Sequence, residues 1–429
     1  MRNINIRKLH IENRSPQQLL TYYIFLFPFF FGLLLGMVGL PNFLKYTIDA
    51  AWVGILLLAL RRKTLFLDKR LMPLLLLVCI FFLYTLVSYL CHYQFIGYYL
   101  WGLRNNFRFY IAFFAFAAFF TEEDVEKCYR FLYAIFWINV LVSLVQFFVL
   151  GYQQDYLGGV FGVERGSNAY SMVFFCIVLT RSLLSMMNGD EKLGWCLLRC
   201  ASAAMIAVLS ELFAFFLFFA VIAILATACT KFSWRKCLLY IALVLIFSVC
   251  GTLLVELFGE GSGISFETIV NRMFSSNYAT EEDLGRMTAI PTIAEDILRD
   301  GPSRLFGLGL GNCDTSSFDI FNKPFFKTHE NLHYVWILSA FLFLETGFVG
   351  LLLHMSFFVL CLIFAIKQMK RGGNILHCQI TVVMSIVCII LTFYNASLRT
   401  EAGYCAFLTL ALPFVQQRRQ TDADERTPA

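Results

Sequence analysis

The chain has 429 residues, of which 59% are apolar and 48 are phenylalanine, with a mean hydropathy of +0.70 and a formal charge of +5. No soluble domain can hide that much apolar surface, so the composition excludes one and points to an integral membrane protein. The 14 cysteines do not read as a disulfide framework. Cys79, Cys176, Cys229, Cys250 and Cys388 lie inside apolar runs, where a thiol behaves as a small hydrophobe, and Cys313 is the clear exception in a polar loop.

In chain order, a long polar segment precedes the first apolar run and no small-residue cleavage site follows it. That run therefore reads as a retained first span and not as a signal peptide. Since roughly 17–25 mostly apolar residues cross a bilayer, spans are predicted near 22–40, 43–60, 71–91, 107–120, 129–150, 168–187, 193–209, 211–230, 236–257, 346–366, 376–393 and 400–416. The stretch 107–120 is short unless it extends into its flanks. Residues 333–345 are apolar but too short to cross, and read as a half-helix or as part of the tenth span.

Basic residues set the orientation, because cytoplasmic loops retain Lys and Arg. With the N-terminus inside, that side receives Arg2, Arg7, Lys8 and Arg14, then "RRKTLFLDKR" (61–70), Lys127 and Arg130, "KFSWRK" (231–236), "KQMKR" (367–371), and Arg418 and Arg419. The opposite connections are tight or poor in basic residues, with two exceptions. One is 151–167; the other is the segment of about 75 residues from Phe258 to Leu332, and loops of that length in a compact bundle are usually functional. The chain thus divides into an N-terminal membrane bundle (1–257), a large outer loop (258–332), a C-terminal membrane bundle (333–417) and a polar tail (418–429).

The chemistry gathers in the outer loops. "LGRMTAIPTIAEDILRDGP" (284–302) spaces Met287, Ile290, Ile293, Ala294, Ile297 and Leu298 as one face of a helix, with Arg286 near its start and Gly301-Pro302 as its stop. "RLFGLGLGN" (304–312) is a glycine-rich turn of a kind that lets backbone amides approach an anion. His329 and His333 follow, one turn apart on one face if that piece is helical. Glu345 opens the next span in "ETGFVGLLL", either as a substrate contact or as a structural carboxylate favoured at a helix start. Arg165 precedes the sixth span, Glu211 sits in the turn between the seventh and eighth, and Arg399 lies at the outer end of the last. The arginines suit a multi-oxygen anion, because a planar guanidinium pairs two phosphate oxygens at once.

"HENLH" (329–333) also matches the zinc-protease pattern, which needs two His ligands on one helix face, a Glu base and a third ligand. Glu345 and Glu401 are the downstream candidates for that third ligand, and neither lies in a ligand motif. The pattern opens in a polar loop after Lys327-Thr328, so no metal site is assigned.

The organisation, together with Gly285-Arg286, "FGLGLGN", "HENLHY" before "ETGFVGLL", and "RGSNAYSM" at the sixth span, resembles the O-antigen ligase and polysaccharide polymerase superfamily of bacterial membrane glycosyltransferases. The resemblance implies an all-α, GT-C-like polytopic fold with about twelve transmembrane helices and a large helical extracytoplasmic loop between spans 9 and 10. It implies a multi-pass protein of the bacterial inner membrane, with both termini cytoplasmic and the active site on the extracytoplasmic face. The activity implied is an inverting, metal-independent glycosyl transfer without a cofactor, from an undecaprenyl-pyrophosphate-linked oligosaccharide to a glycan acceptor. Membrane lipids, a flippase and a chain-length regulator are the partners implied, and no nucleic acid.

By the same resemblance Arg286 and Arg165 bind the diphosphate, with Arg399 and Glu345 as further substrate contacts. His333, or His329 next to it, takes the acceptor proton. The superfamily commonly carries Thr/Ser-Arg where this chain has Ser210-Glu211, so Glu211 replaces an expected cation and is itself a candidate base. That departure favours a repeat-unit polymerase over a ligase acting on lipid A-core. A lipid-linked-oligosaccharide transporter and a zinc metalloprotease are the readings from other classes.

Overall fold

The computed structural model of the protein describes residues 15–39, 41–62, 69–92, 94–231, 233–258, 283–316 and 323–415. Arg2, Arg7, Lys8, Arg14, Arg418, Arg419, residues 63–68, and parts of the large loop (259–282 and 317–322) lie outside the described residues. Among those described, every regular element is helical and no β-strand occurs.

The long helices are α1 (Pro16–Val38), α2 (Thr47–Arg62), α3 (Met72–His92), α4 (Ile96–Phe119), α5 (Glu122–Phe148), α6 (Ser167–Asn188), α7 (Leu193–Leu209), α8 (Phe213–Ala228) and α9 (Trp234–Phe258). Three short helices follow: α10 (Ala289–Asp296), α11 (Gly301–Phe306) and α12 (Pro324–His329). The chain then forms α13 (Leu338–Lys370), α14 (Ile375–Tyr394) and α15 (Ala402–Ala411). Six of these, α3, α5, α6, α9, α13 and α14, are long and apolar enough to cross a membrane. Helices α7, α8 and α15 are apolar but shorter.

Local chemistry explains the boundaries. Ser15 and Thr121 each close a capping box at the start of α1 and α5, satisfying amides that the helix itself leaves open. Helix α4 begins eleven residues before the predicted 107, because its first half carries Arg104, Asn105, Asn106 and Arg108, which hide it from a hydropathy reading. Each of these finds a partner inside the bundle. Arg104 pairs with Asp49 at 2.9 Å, Asn105 donates to Asp314 at 2.7 Å, Asn106 to the Gly102 carbonyl at 2.8 Å, and Arg108 to the Arg399 carbonyl at 3.0 Å. Polar groups in a bundle are tolerated on that condition.

Residues 338–346 join the tenth predicted span as a half-helix, with a break at Gly347 (φ 62°, ψ −167°). A Cβ there would lie 2.3 Å from the Leu305 carbonyl oxygen, so only glycine admits the α11 segment against the kink. The Tyr84 hydroxyl donates to the carbonyl of Thr346 at 2.6 Å, satisfying a group the break exposes. Gly301-Pro302 starts α11 instead of ending the preceding helix: Asp300 caps it, and proline occupies the first turn, where its missing N–H costs nothing.

Helix α6 runs through the centre and is buried along almost its whole length, whereas α3 and α9 leave most of their surface open. The phenylalanines fill the interior edge to face: Phe113–Phe357 at 5.0 Å and Tyr110–Phe357 at 4.9 Å are examples. Such pairs contribute about 0.5–1.5 kcal/mol beyond their buried area.

The chain reverses from helix to helix, which gives the bundle two ends. At one, Asn188 bonds Gln379, Gln379 bonds the Cys229 carbonyl, and Asn374 bonds Glu122. The other end holds the 151–166 segment, the α7–α8 turn, residues 283–316 and 323–336, and the α14–α15 connection.

Candidate functional site

The 151–166 segment folds back into the bundle instead of lying over it. Leu157, Val160 and Phe161 are buried. The Gln146 side chain of α5 brackets Gly159, donating to its carbonyl at 2.9 Å and accepting from its amide at 2.7 Å; Asn139 accepts from the Val160 amide at 2.9 Å. Gly32 of α1 makes room for it, since a Cβ there would meet the Phe161 carbonyl at 2.4 Å. This anchoring delivers Asp155 and Arg165 to the first turn of α6, where Asn168 donates to Asp155 at 3.3 Å.

Between α7 and α8 the chain turns in three residues, and Glu211 takes a left-handed conformation (φ 50°). A non-glycine residue in that region stores strain, which occurs preferentially at functional sites. Gln154 donates to the Glu211 carboxylate at 3.0 Å, tying this turn to the 151–166 segment.

Residues 283–288 and 330–336 lie side by side, joined by the Leu284 amide to the Leu332 carbonyl. Arg286 donates from Nε to the Tyr394 carbonyl at 2.9 Å, its guanidinium 4.3 Å from the centre of the Tyr394 ring. His333 is also left-handed (φ 48°), and its Nδ1 lies 2.6 Å from Oδ1 of the buried Asp283. A carboxylate accepts, so Nδ1 donates in this contact and Nε2 points away from Asp283. The imidazole stacks on Trp336 at 3.9 Å and 18°, and the Arg165 guanidinium lies 4.9 Å from the same indole.

These pieces enclose a cavity of about 450 Å³, lined among others by Asp155, Arg165, Asn168, Glu211, Arg286 and Trp336. The first turns of α6 and α8 also face it, presenting the positive ends of their dipoles. Arg165, Arg286 and Glu211, three of the residues singled out in the sequence, therefore share one cavity, and His333 adjoins it through Trp336.

The other sequence candidates lie elsewhere. Arg399 pairs with Asp314, which Asn105 also contacts, and its guanidinium lies 3.7 Å from the Phe341 ring. Glu345 is fully buried, well inside α13 rather than at its start, and accepts from the Cys313 amide at 3.1 Å. The glycine-rich turn does offer amides, but to the protein itself. Leu308 and Gly309 donate to the carbonyls of Leu344 and Glu345 at 2.8 and 3.0 Å.

Gly311 (φ 85°) lies so close to α4 that a Cβ would come within 1.9 Å of the Tyr98 carbonyl oxygen. The turn is thus a wedge between α4 and α13, and the carboxyl group beside it is the protein's own Glu345. Burial, reinforced by Glu345 and Asp314, pushes the Cys313 thiol well above its ordinary pKa, and burial pulls that of Lys323 down.

His329 ends α12, stacks on Phe325 at 4.3 Å and places Nδ1 3.1 Å from the Phe325 carbonyl. Glu330–Leu332 is a single 3-10 turn, and the chain reverses at His333. The single helix face that the zinc pattern requires is not formed, and the two imidazoles have separate neighbours. Among the described residues no three His, Cys, Asp or Glu groups converge as metal ligands.

The sequence reading missed Asp283, Trp336 and Asp314. Asp283 could have been found as an acid two residues before the Gly-Arg motif; Trp336 and Asp314 become visible only once distant segments meet. No protein-family model matches the chain, and no curated protein matches it.

Proposed function

We propose that the protein is a bacterial cell-surface polysaccharide polymerase that extends a glycan carried on undecaprenyl pyrophosphate. The chain is read as twelve spans of the inner membrane, with both termini cytoplasmic and the cavity on the extracytoplasmic face. What carries this reading is the gathering of Arg165, Arg286 and Glu211 around one cavity at one end of an apolar helix bundle, with a His–Asp pair adjoining it through Trp336.

In this mechanism the diphosphate of the donor lies against Arg165, Arg286 and the first turns of α6 and α8. The acceptor hydroxyl oxygen attacks the anomeric carbon from the opposite face, and the bond to the diphosphate breaks with its electron pair going to the leaving oxygen. His333 Nε2 takes the acceptor proton while Asp283 steadies the resulting imidazolium. The arginines offset charge as it develops on the leaving group. Glu211, held by Gln154, stands among the cations and orients acceptor hydroxyls. Polymerase is preferred over ligase because Glu211 stands where the superfamily commonly has an arginine.

The test is polymer length in cells carrying Arg286→Ala or His333→Ala, with membrane insertion checked in parallel. The proposal expects short glycan and normal insertion. Long polymer in both variants contradicts it, and glycan transferred unchanged to a lipid A-core acceptor converts the assignment to ligase.

A further inference from the structure

His333 and Arg165 come from segments far apart in sequence, and no hydrogen bond joins them. Their shared neighbour is Trp336. Residues 334–336 form a 3-10 turn closed by the Trp336 amide to the His333 carbonyl at 3.0 Å. That geometry brings residues i and i+3 onto one side, so the strained backbone of His333 and the turn after it together set the indole beneath the imidazole. Asp283 fixes the imidazole from the Nδ1 side.

Arg165 is held differently. It is exposed, and among the described residues it has no ion pair; its guanidinium rests on the indole. A cation–π contact at an exposed site is weak, whereas a guanidinium bound to two phosphate oxygens is among the stronger polar contacts. An anion entering the cavity that Arg165 and Trp336 line outcompetes the indole for the guanidinium.

We propose that Trp336 is the positioning residue of this site: it sets the spacing between His333 and Arg165, and Arg165 leaves the indole when a diphosphate group enters. The inference rests on the glycosyl-transfer reading for the identity of the ligand, and its consequence is that the base is held in place while the anion-binding arm moves. Trp336 makes no bond to reacting atoms; it acts through its two neighbours.

The experiment is a fluorescence titration of the purified full-length protein in detergent with inorganic pyrophosphate. The chain holds 6 tryptophans, so the Trp336 signal is read as the difference between wild type and Trp336→Phe. The expected result is a saturable change in that difference, which disappears in Arg165→Gln. An unchanged difference at saturating pyrophosphate overturns the proposal, and so does a change that persists in Arg165→Gln.

Transfer kinetics give the second readout. Trp336→Leu lowers kcat by about 10-fold or more while KM for the donor moves by less than about 3-fold, and Trp336→Phe restores most of kcat. Equal loss in Phe and Leu variants, or none in either, overturns the positioning role. Wild-type protein that transfers no sugar yet shows the pyrophosphate response refutes the glycosyl-transfer reading and supports the Trp336 inference. Transfer without the response does the reverse.

Discussion

Arg399 and Arg286 lie at the same end of the bundle, yet they are used in opposite ways. Arg399 is committed: Asp314 takes its charge through the oxygen that Asn105 also contacts, the Thr315 amide holds the other oxygen, and the aromatic face of Phe341 closes over the guanidinium. Glu345 is committed likewise, its carboxyl group to the Cys313 amide just after the glycine turn. Arg286 and Arg165 instead line a cavity and lean on aromatic rings, and Glu211 faces the same space from a strained turn. A charge at the bundle's end is thus not evidence of function by itself; what separates the two regions is that Arg399 and Glu345 are closed inside the bundle, whereas Arg286 and Arg165 line an open cavity.

That contrast breaks first, and hardest, at the committed pair. Arg399→Met leaves the Asp314 carboxylate, only 2% exposed, buried without its partner, and this costs about 3–5 kcal/mol. Thermal unfolding in detergent should show a large loss that Asp314→Asn in the same chain largely restores. Arg286→Ala removes the hydrogen bond to the Tyr394 carbonyl and the contact with its ring, contributions of about 1 kcal/mol each, so its larger cost appears in transfer and not in folding. Equal destabilisation by the two single variants would erase the distinction.

Glycines sharpen it next. Gly311→Ala forces a left-handed alanine into the Tyr98 carbonyl and costs upwards of about 2 kcal/mol. Gly301→Ala, with open space around it, stays within about 0.5 kcal/mol of wild type. Unfolding curves for the pair test whether the turn is a wedge; equal effects would say that it is not.

Asp283→Asn keeps the shape beside His333 but not the charge. It is expected to lower transfer by about 10- to 100-fold with little change in unfolding temperature, measured as single-turnover transfer beside a melting curve.

The smallest effect concerns Cys313. Its folded pKa is raised by burial, so the thiol stays protonated where an ordinary cysteine, with a pKa of about 8.5, is already ionising. Alkylation of Cys313, followed by peptide mass spectrometry, should remain slow and should not accelerate between about pH 7 and pH 9. Rapid labelling that rises with pH over this range would show that the committed region is open.

Much of this was legible in the sequence because hydrophobic periodicity is local. Helices occupy the predicted apolar segments, six of them among the described residues long and apolar enough to cross a membrane, and Arg165, Arg286 and Glu211 stand out in the sequence itself. Helix α4 was half hidden because Arg104 and Arg108 lower its hydropathy, although their partners, Asp49 and the Arg399 carbonyl, make them acceptable inside. Arg399 and Glu345 could not be told apart from Arg286 and Arg165, because the partners that neutralise them arrive from remote segments. His333 and His329 share a motif but not an environment, since a left-handed residue and a 3-10 turn replace the regular helix that the spacing suggested.

The measurement that tests the central claim most directly is single-turnover sugar transfer from an undecaprenyl-pyrophosphate-linked oligosaccharide by purified protein. Wild type, His333→Ala and Arg286→Ala are compared, each with its own melting curve. The account predicts that both variants melt close to wild type and transfer at least about 100-fold more slowly. Wild-type transfer rates in both would contradict it.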